Sequence, residues 1–141
     1  MRPSKVAITG LPVQLLLSPG AVLMPLRMDL AYDPGDPYAV RVLFTYPDTR
    51  RTVEWIMGRD LLAAGMAEPA GEGDVRIWPA RTAARDAVHI RLSGLTGTAL
   101  FEAPAEEIAA FLRATEAVVP SGTESRHLDM GALLTHLLAE G

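Results

Sequence analysis

Apolar and polar residues alternate with a period of two along most of the chain up to Ala103. Tyr38, Val40, Val42, Phe44 and Tyr46 share one face of a predicted strand over Tyr38–Tyr46, as a pleated backbone requires. Across Pro47-Asp48-Thr49, a second alternation over Arg50–Met57 sets Val53, Trp55 and Met57 against Thr52, Glu54 and Ile56, which predicts a hairpin. Lys5–Leu17 and Val22–Tyr32 predict two earlier strands joined by a Ser18-Pro19-Gly20 turn. Pro12 and Pro25 have no N–H for a ladder, so each requires an edge position or a bulge. Val75–Trp78, Asp86–Leu92 and Gly97–Ala103 bring the predicted strands to seven, and Val88, Ile90 and Leu92 face away from Ala87, His89 and Arg91.

Helical periods punctuate and then replace this pattern. Arg59-Asp60-Leu61-Leu62 opens a short helical turn ending at Gly65, for which Asp60 is the expected N-cap. Pro104 suits a first helical turn, and Glu106 and Glu107 favour its positive end. Ile108, Phe111, Leu112 and Thr115 mark the buried stripe of that helix, and Val118-Val119-Pro120 ends it. Asp129 is the expected N-cap of a terminal helix with Met130, Leu133, Leu134, Leu137 and Leu138 at three- and four-residue spacing. Leu133, Leu134 and Leu137 are its predicted packing or oligomer contacts. Strands first and helices last is an α+β order, without the alternation that builds parallel sheets. The expectation is one domain over 1–141, strand-rich over 5–103 and helical over 104–139.

Composition narrows the chemistry. A chain of 141 residues buries roughly 68–70% of its unfolded surface, enough for a core without metals or crosslinks. Cysteine is absent, which excludes disulfides, thiolate catalysis and zinc–cysteine sites and fits a reducing cytoplasm. The formal charge is −4 and the basic residues are scattered, which argues against an extended nucleic-acid footprint. Arg2 and Lys5 precede an apolar run from Val6 to Leu17 that looks like a secretory signal, but Gly10, Pro12 and Gln14 interrupt it. No apolar run approaches the roughly 20 residues that span a bilayer. The expectation is a soluble cytoplasmic chain with no transmembrane segment.

No catalytic constellation emerges. His89, His127 and His136 are the only histidines. His127, Asp129 and His136 could be imagined around a metal, but their spacing matches no ligand template, and loop, cap and helix-surface roles are the plainer reading. No metal or cofactor is expected. No Gly-x-Ser-x-Gly elbow exists, and Ser93-Gly94 and Ser121-Gly122 sit in turn contexts. Gly71-Glu72-Gly73-Asp74 lacks the lysine of a phosphate loop, and Gly94-Leu95-Thr96-Gly97 reads as a hairpin turn. Asp29, Asp33 and Asp36 lack the bidentate glutamate of a calcium loop. Trp55 is placed in the core. Trp78 is out of phase with Val75 and Ile77, so it is either an outward contact residue or is covered by a helix. Arg59-Asp60 divides between a capping ion pair and a partner contact. The candidate contact set is Trp78, Arg59, Asp60 and Arg76.

Four short patterns stand in a fixed order: Asp36-Pro37-Tyr38-Ala39-Val40, Val53-Glu54-Trp55, Arg59-Asp60-Leu61-Leu62, and Gly73-Asp74-Val75 with Trp78-Pro79. Gly97-Thr98-Ala99, Phe111-Leu112, Pro120-Ser121-Gly122-Thr123-Glu124 and Arg126-His127-Leu128-Asp129 continue the series. In this the sequence resembles the SsgA-like family of actinomycete sporulation and cell-division proteins over residues 22–139. It departs from the family's usual residues at Met57-Gly58, Ser93-Gly94 and Gly131. The resemblance implies strongly twisted antiparallel β-sheets of about seven strands with C-terminal helices, in a whirly-like, bell-shaped protomer that forms a homotrimer. It also implies a non-catalytic adaptor at division septa whose partners are the tubulin-like protein FtsZ and other SsgA-like or divisome proteins. The fold likeness raises a rival, single-stranded nucleic-acid binding, which requires a basic groove with stacking aromatics. The acidic charge and the eight aromatic residues weigh against it.

Overall fold

The computed structural model describes residues 5–18 and 22–128. The predicted terminal helix, with Leu133, Leu134 and Leu137, lies outside the described residues, as do Asp129 and His136. The strands are β1 (Val6–Ser18), β2 (Val22–Tyr32), β3 (Ala39–Thr45), β4 (Thr52–Gly58), β5 (Val75–Arg81), β6 (Asp86–Gly94) and β7 (Gly97–Pro104). They form one antiparallel sheet in the order β4-β3-β2-β1-β7-β6-β5. Helix α1 (Arg59–Gly65) lies between β4 and β5, α2 (Ala105–Val118) follows β7, and a 3-10 turn spans Glu124–His127.

The sheet curls into a half-barrel. β3 and β7 are three positions apart in the sheet order, a separation of about 14 Å if the sheet were flat. Yet the rings of Phe44 and Phe101 stack with centroids 4.1 Å apart and planes 14° from parallel. Both residues occupy the inward phase of their strands, so the concave face closes on itself there. α2 lies across this concavity against β1, β6 and β7, and Ile108, Phe111 and Leu112 complete a core with Val13, Met28, Val42, Ile77 and Ile90.

A bulge helps the long first hairpin to bend. The β1–β2 register shifts between Ile8 and Leu11, where Gly10 adopts φ +70°, a region glycine enters without steric penalty. Asp29 Oδ1 accepts the Gly10 N–H at 2.8 Å, and Arg27 Nη1 donates to the Gly10 carbonyl at 2.9 Å. The bulge thus falls at Gly10, two residues before Pro12. The prolines follow the edge rule: Pro12 lies beyond the β1–β7 ladder, which covers Gln14–Leu16, and Pro25 lies beyond the β2–β3 ladder, which begins at Arg27. β5 runs on through Pro79 to Arg81, further than its predicted end at Trp78, because it is an edge strand. Pro104 is the N-cap residue of α2, one position before the first turn.

α1 meets β5 at a single close approach. A Cβ on Gly65 would collide with the Ile77 side chain, and Ile77 has no exposed surface. Gly65→Ala therefore forces the helix off the strand, at a cost of about 1–3 kcal/mol from overpacking. Phe101→Ala removes half of the stacked pair and costs about 3–5 kcal/mol. Urea unfolding of each variant measures both losses.

Candidate functional site

At Gly58 the chain passes from β4 into α1 with an extended backbone, and the Arg59 N–H donates to the Tyr38 carbonyl at 2.8 Å. The Arg59 side chain then points inward and is only 2% exposed. Its Nη1 donates to the Val119 carbonyl at 2.7 Å and to that of Thr115 at 3.3 Å. Those carbonyls lie at the C-terminal end of α2, which carries partial negative charge, and the Thr115 carbonyl also accepts the Val119 N–H at 2.8 Å. Nη2 pairs with Glu124 Oε1 at 2.9 Å, and the same oxygen accepts the Gly122 N–H at 2.7 Å. The guanidinium carbon lies 5.0 Å from the centroid of Tyr32, whose hydroxyl donates to the Pro37 carbonyl at 2.9 Å. Burial raises the Tyr32 phenol above its ordinary range, with the Arg59 charge opposing.

This geometry corrects two expectations. Arg59 presents nothing to a partner, because its guanidinium is enclosed and bonded to groups of its own chain. Its ion-pair partner is Glu124, 65 positions away, rather than Asp60. Asp60 is also not the N-cap: that position is Gly58, two residues earlier, which makes no side-chain cap hydrogen bond. Asp60 is exposed in the first turn.

Trp78 and Arg76 lie elsewhere, on the face of β5 opposite the buried Ile77. Trp78 is half-buried and meets His89 of β6 edge-on, with centroids 5.7 Å apart and planes at 76°. His89 Nε2 is 3.1 Å from Glu102 Oε1 of β7. Register places the three residues in one row across β5, β6 and β7. The next row reads Arg76, Arg91, Leu100, and continues through Leu16 of β1 to Leu23 of β2. The outer face of β5–β7 therefore joins Trp78 and Arg76, keeps Asp60 and Arg59 out, and adds His89, Arg91 and Glu102. Sequence alone left those three unselected: their outward phase was visible, but the register that aligns them was not.

Inside the half-barrel, at the mouth between the β3–β4 and β6–β7 hairpins, is a cavity of about 560 Å³ lined by Phe44, Trp55, Phe101 and Arg51 among others. Trp55 is thus half-buried at a rim rather than enclosed in the core. The three aspartates considered for calcium have separate duties: Asp29 holds Gly10, Asp33 accepts the Gly35 N–H at 2.9 Å, and Asp36 donates its N–H to the Asp33 carbonyl. Among the described residues no group of three or more His, Asp or Glu side chains converges as a metal site. His127 ends the 3-10 turn.

Arg59→Met leaves Glu124 buried without its cation and the Val119 carbonyl without its arginine donor. Removing one partner of such a pair costs about 3–5 kcal/mol, which chemical denaturation measures. Tyr32 adds a pH signature. Its phenol is neutral in the fold, so its contribution is fully present below the ordinary value of 10.0. That contribution is lost as pH rises from there through the higher folded value. Tyr32→Phe should flatten the alkaline fall in stability, as melting temperatures across that range will show.

The model of the Streptomyces sporulation and cell division protein SsgA matches residues 26–124. Sporulation-specific cell division protein SsgB of Streptomyces coelicolor is 49% identical over 117 residues, covering 83% of this chain and 85% of that protein. SsgB of Salinispora tropica is 46% identical over 125 residues, covering 88% and 87%. A solved SsgB structure, from work relating its mutations to longitudinal cell division during sporulation of Streptomyces coelicolor, superposes with a TM-score of 0.83 at 44% identity. It covers 89% of this chain and 96% of that one. The crystal structure of an SsgA-like sporulation-specific cell division protein from Thermobifida fusca gives 0.84 at 36% identity, covering 96% and 97%. The chain belongs to the SsgA family and is a protein of sporulation-specific cell division.

Proposed function

We propose that this protein is a non-catalytic adaptor that positions or stabilises FtsZ at septum sites, acting in the cytoplasm as a homotrimer alongside other SsgA-like or divisome proteins. The outer face of β5–β7 is its contact surface. The observation that carries this reading is Trp78, a half-buried tryptophan turned away from the core on an edge strand and supported from one side by His89. Tryptophan contributes disproportionately to interfaces when a partner completes its burial. Arg76 and the exposed Asp60 are further contact residues, on β5 and on α1.

The mechanism is association. A curled sheet whose inward residues are locked in a core presents its outward residues on a rigid backbone, and little ordering entropy is lost when a partner docks. The trimer would draw on the lateral edges: among the described residues β4 has no strand on its outer side, and Ile56 there is 58% exposed. Unpaired edges of this kind are sites that symmetric copies cover.

A pull-down with purified FtsZ and with single-stranded DNA, on protein whose mass is fixed by light scattering, tests this reading. Capture of FtsZ by an oligomer without DNA retention is expected. Trp78→Ala should lower FtsZ capture at least about tenfold while the melting temperature changes little. DNA retention that fades with salt, without FtsZ, would replace the adaptor reading by the nucleic-acid one.

A further inference from the structure

Two arginines stand directly opposite each other on the outer face: Arg76 of β5 and Arg91 of β6 are cross-strand partners. Like charges in that relation destabilise a sheet. Two other strand arginines are neutralised nearby: Arg41 pairs with Glu54 at 2.8 Å and Arg81 with Asp86 at 3.2 Å. Arg76 and Arg91 have no ion pair among the described residues. Of the carboxylates in the adjoining rows, Glu102 is engaged by His89, and Asp74, opposite Ser93, forms no ion pair with either arginine among the described residues. In a chain of net charge −4, this is a local concentration of unneutralised cation.

Apolar surface continues the same row. Leu100, Leu16 and Leu23 follow Arg91 across β7, β1 and β2. None of the three belongs to the core cluster; Leu23 is 57% exposed, and Leu100 and Leu16 are half-buried. Neighbouring strands are about 4.8 Å apart, so the row from Arg76 to Leu23 follows about 19 Å of the curved sheet surface. An extended peptide of about six residues spans that distance. The surface is therefore polarised, with two guanidiniums at one end and three leucines at the other.

We infer that this row binds a short extended peptide segment of a partner protein, bearing two carboxylates at one end and apolar side chains at the other. The inference rests on the reading that the outer face of β5–β7 is the contact surface, and it adds the chemistry of what docks there. Arg76 and Arg91 would form charge-assisted hydrogen bonds to the carboxylates, and the repulsion between them would be relieved on binding. The leucines supply apolar burial that salt does not screen.

The test is fluorescence anisotropy with a labelled peptide carrying two aspartates at one end and leucines at alternate positions at the other, titrated with the full chain at low and high salt. Saturable binding that weakens with salt is expected. Peptides with lysine for aspartate, or alanine for leucine, should bind at least about tenfold more weakly. Arg76→Glu converts the like-charged pair into an opposed one. It should therefore abolish binding while leaving the melting temperature no lower than that of the unaltered protein, a combination that a merely structural role would not produce. Absence of binding, equal binding of the lysine peptide, or binding unchanged by Arg76→Glu would overturn the inference. FtsZ capture measured in parallel separates the two levels. Capture that is lost in Trp78→Ala but kept in Arg76→Glu would preserve the contact face and overturn its acidic partner.

Discussion

A charged group sealed inside a protein must find partners there, and Arg59 finds them through Nη1 and Nη2 at the junction of four segments, with Nε unpaired among the described residues. Its guanidinium faces the last carbonyls of α2, the Glu124 carboxylate in the 3-10 turn and the ring of Tyr32 at the end of β2, while its backbone belongs to the first residue of α1. None of those elements can shift alone without exposing an unpaired charge or carbonyl. The solvent-facing geometry of β5 depends on this clamp indirectly. α1 is pinned at its start by Arg59 and rests at its end on Ile77 through Gly65, and Ile77 separates Arg76 from Trp78.

An adaptor of the kind proposed above would hold a surface steady rather than stage a reaction. The side chains that would attract attention in an enzyme are used here as structure. Glu124 neutralises Arg59, Asp29 stabilises a bulge, and Thr115 turns its hydroxyl back to the Leu112 carbonyl. The outward groups of β5–β7 are arranged in rows across strands.

Much of the architecture was legible because period-two alternation is a direct image of a pleated strand. The inward sets Val40, Val42, Phe44 and Val88, Ile90, Leu92 are buried as their phase required. The four patterns around Val53-Glu54-Trp55 and Arg59-Asp60-Leu61-Leu62 led to the family. What stayed hidden depends on contacts between distant positions. An arginine followed by an aspartate at a helix start reads locally as a cap and an ion pair, and nothing near position 59 discloses a glutamate at 124. Strand phase placed Arg76 and Arg91 on outward faces, but only the β5–β6 register sets them opposite each other. The curl that brings Phe44 onto Phe101 is likewise a property of strand order, which alternation does not encode.

The alternation that builds the half-barrel also divides the sequence into two nearly independent texts. Along β6, Val88, Ile90 and Leu92 answer to the core, while His89 and Arg91 answer to whatever lies outside. Substitution at the second set leaves the backbone that carries it in place. A lineage can therefore rewrite the outer rows and redirect the protein to new partners while keeping one inherited scaffold, so that duplicated copies diverge in recognition without passing through an unfolded ancestor.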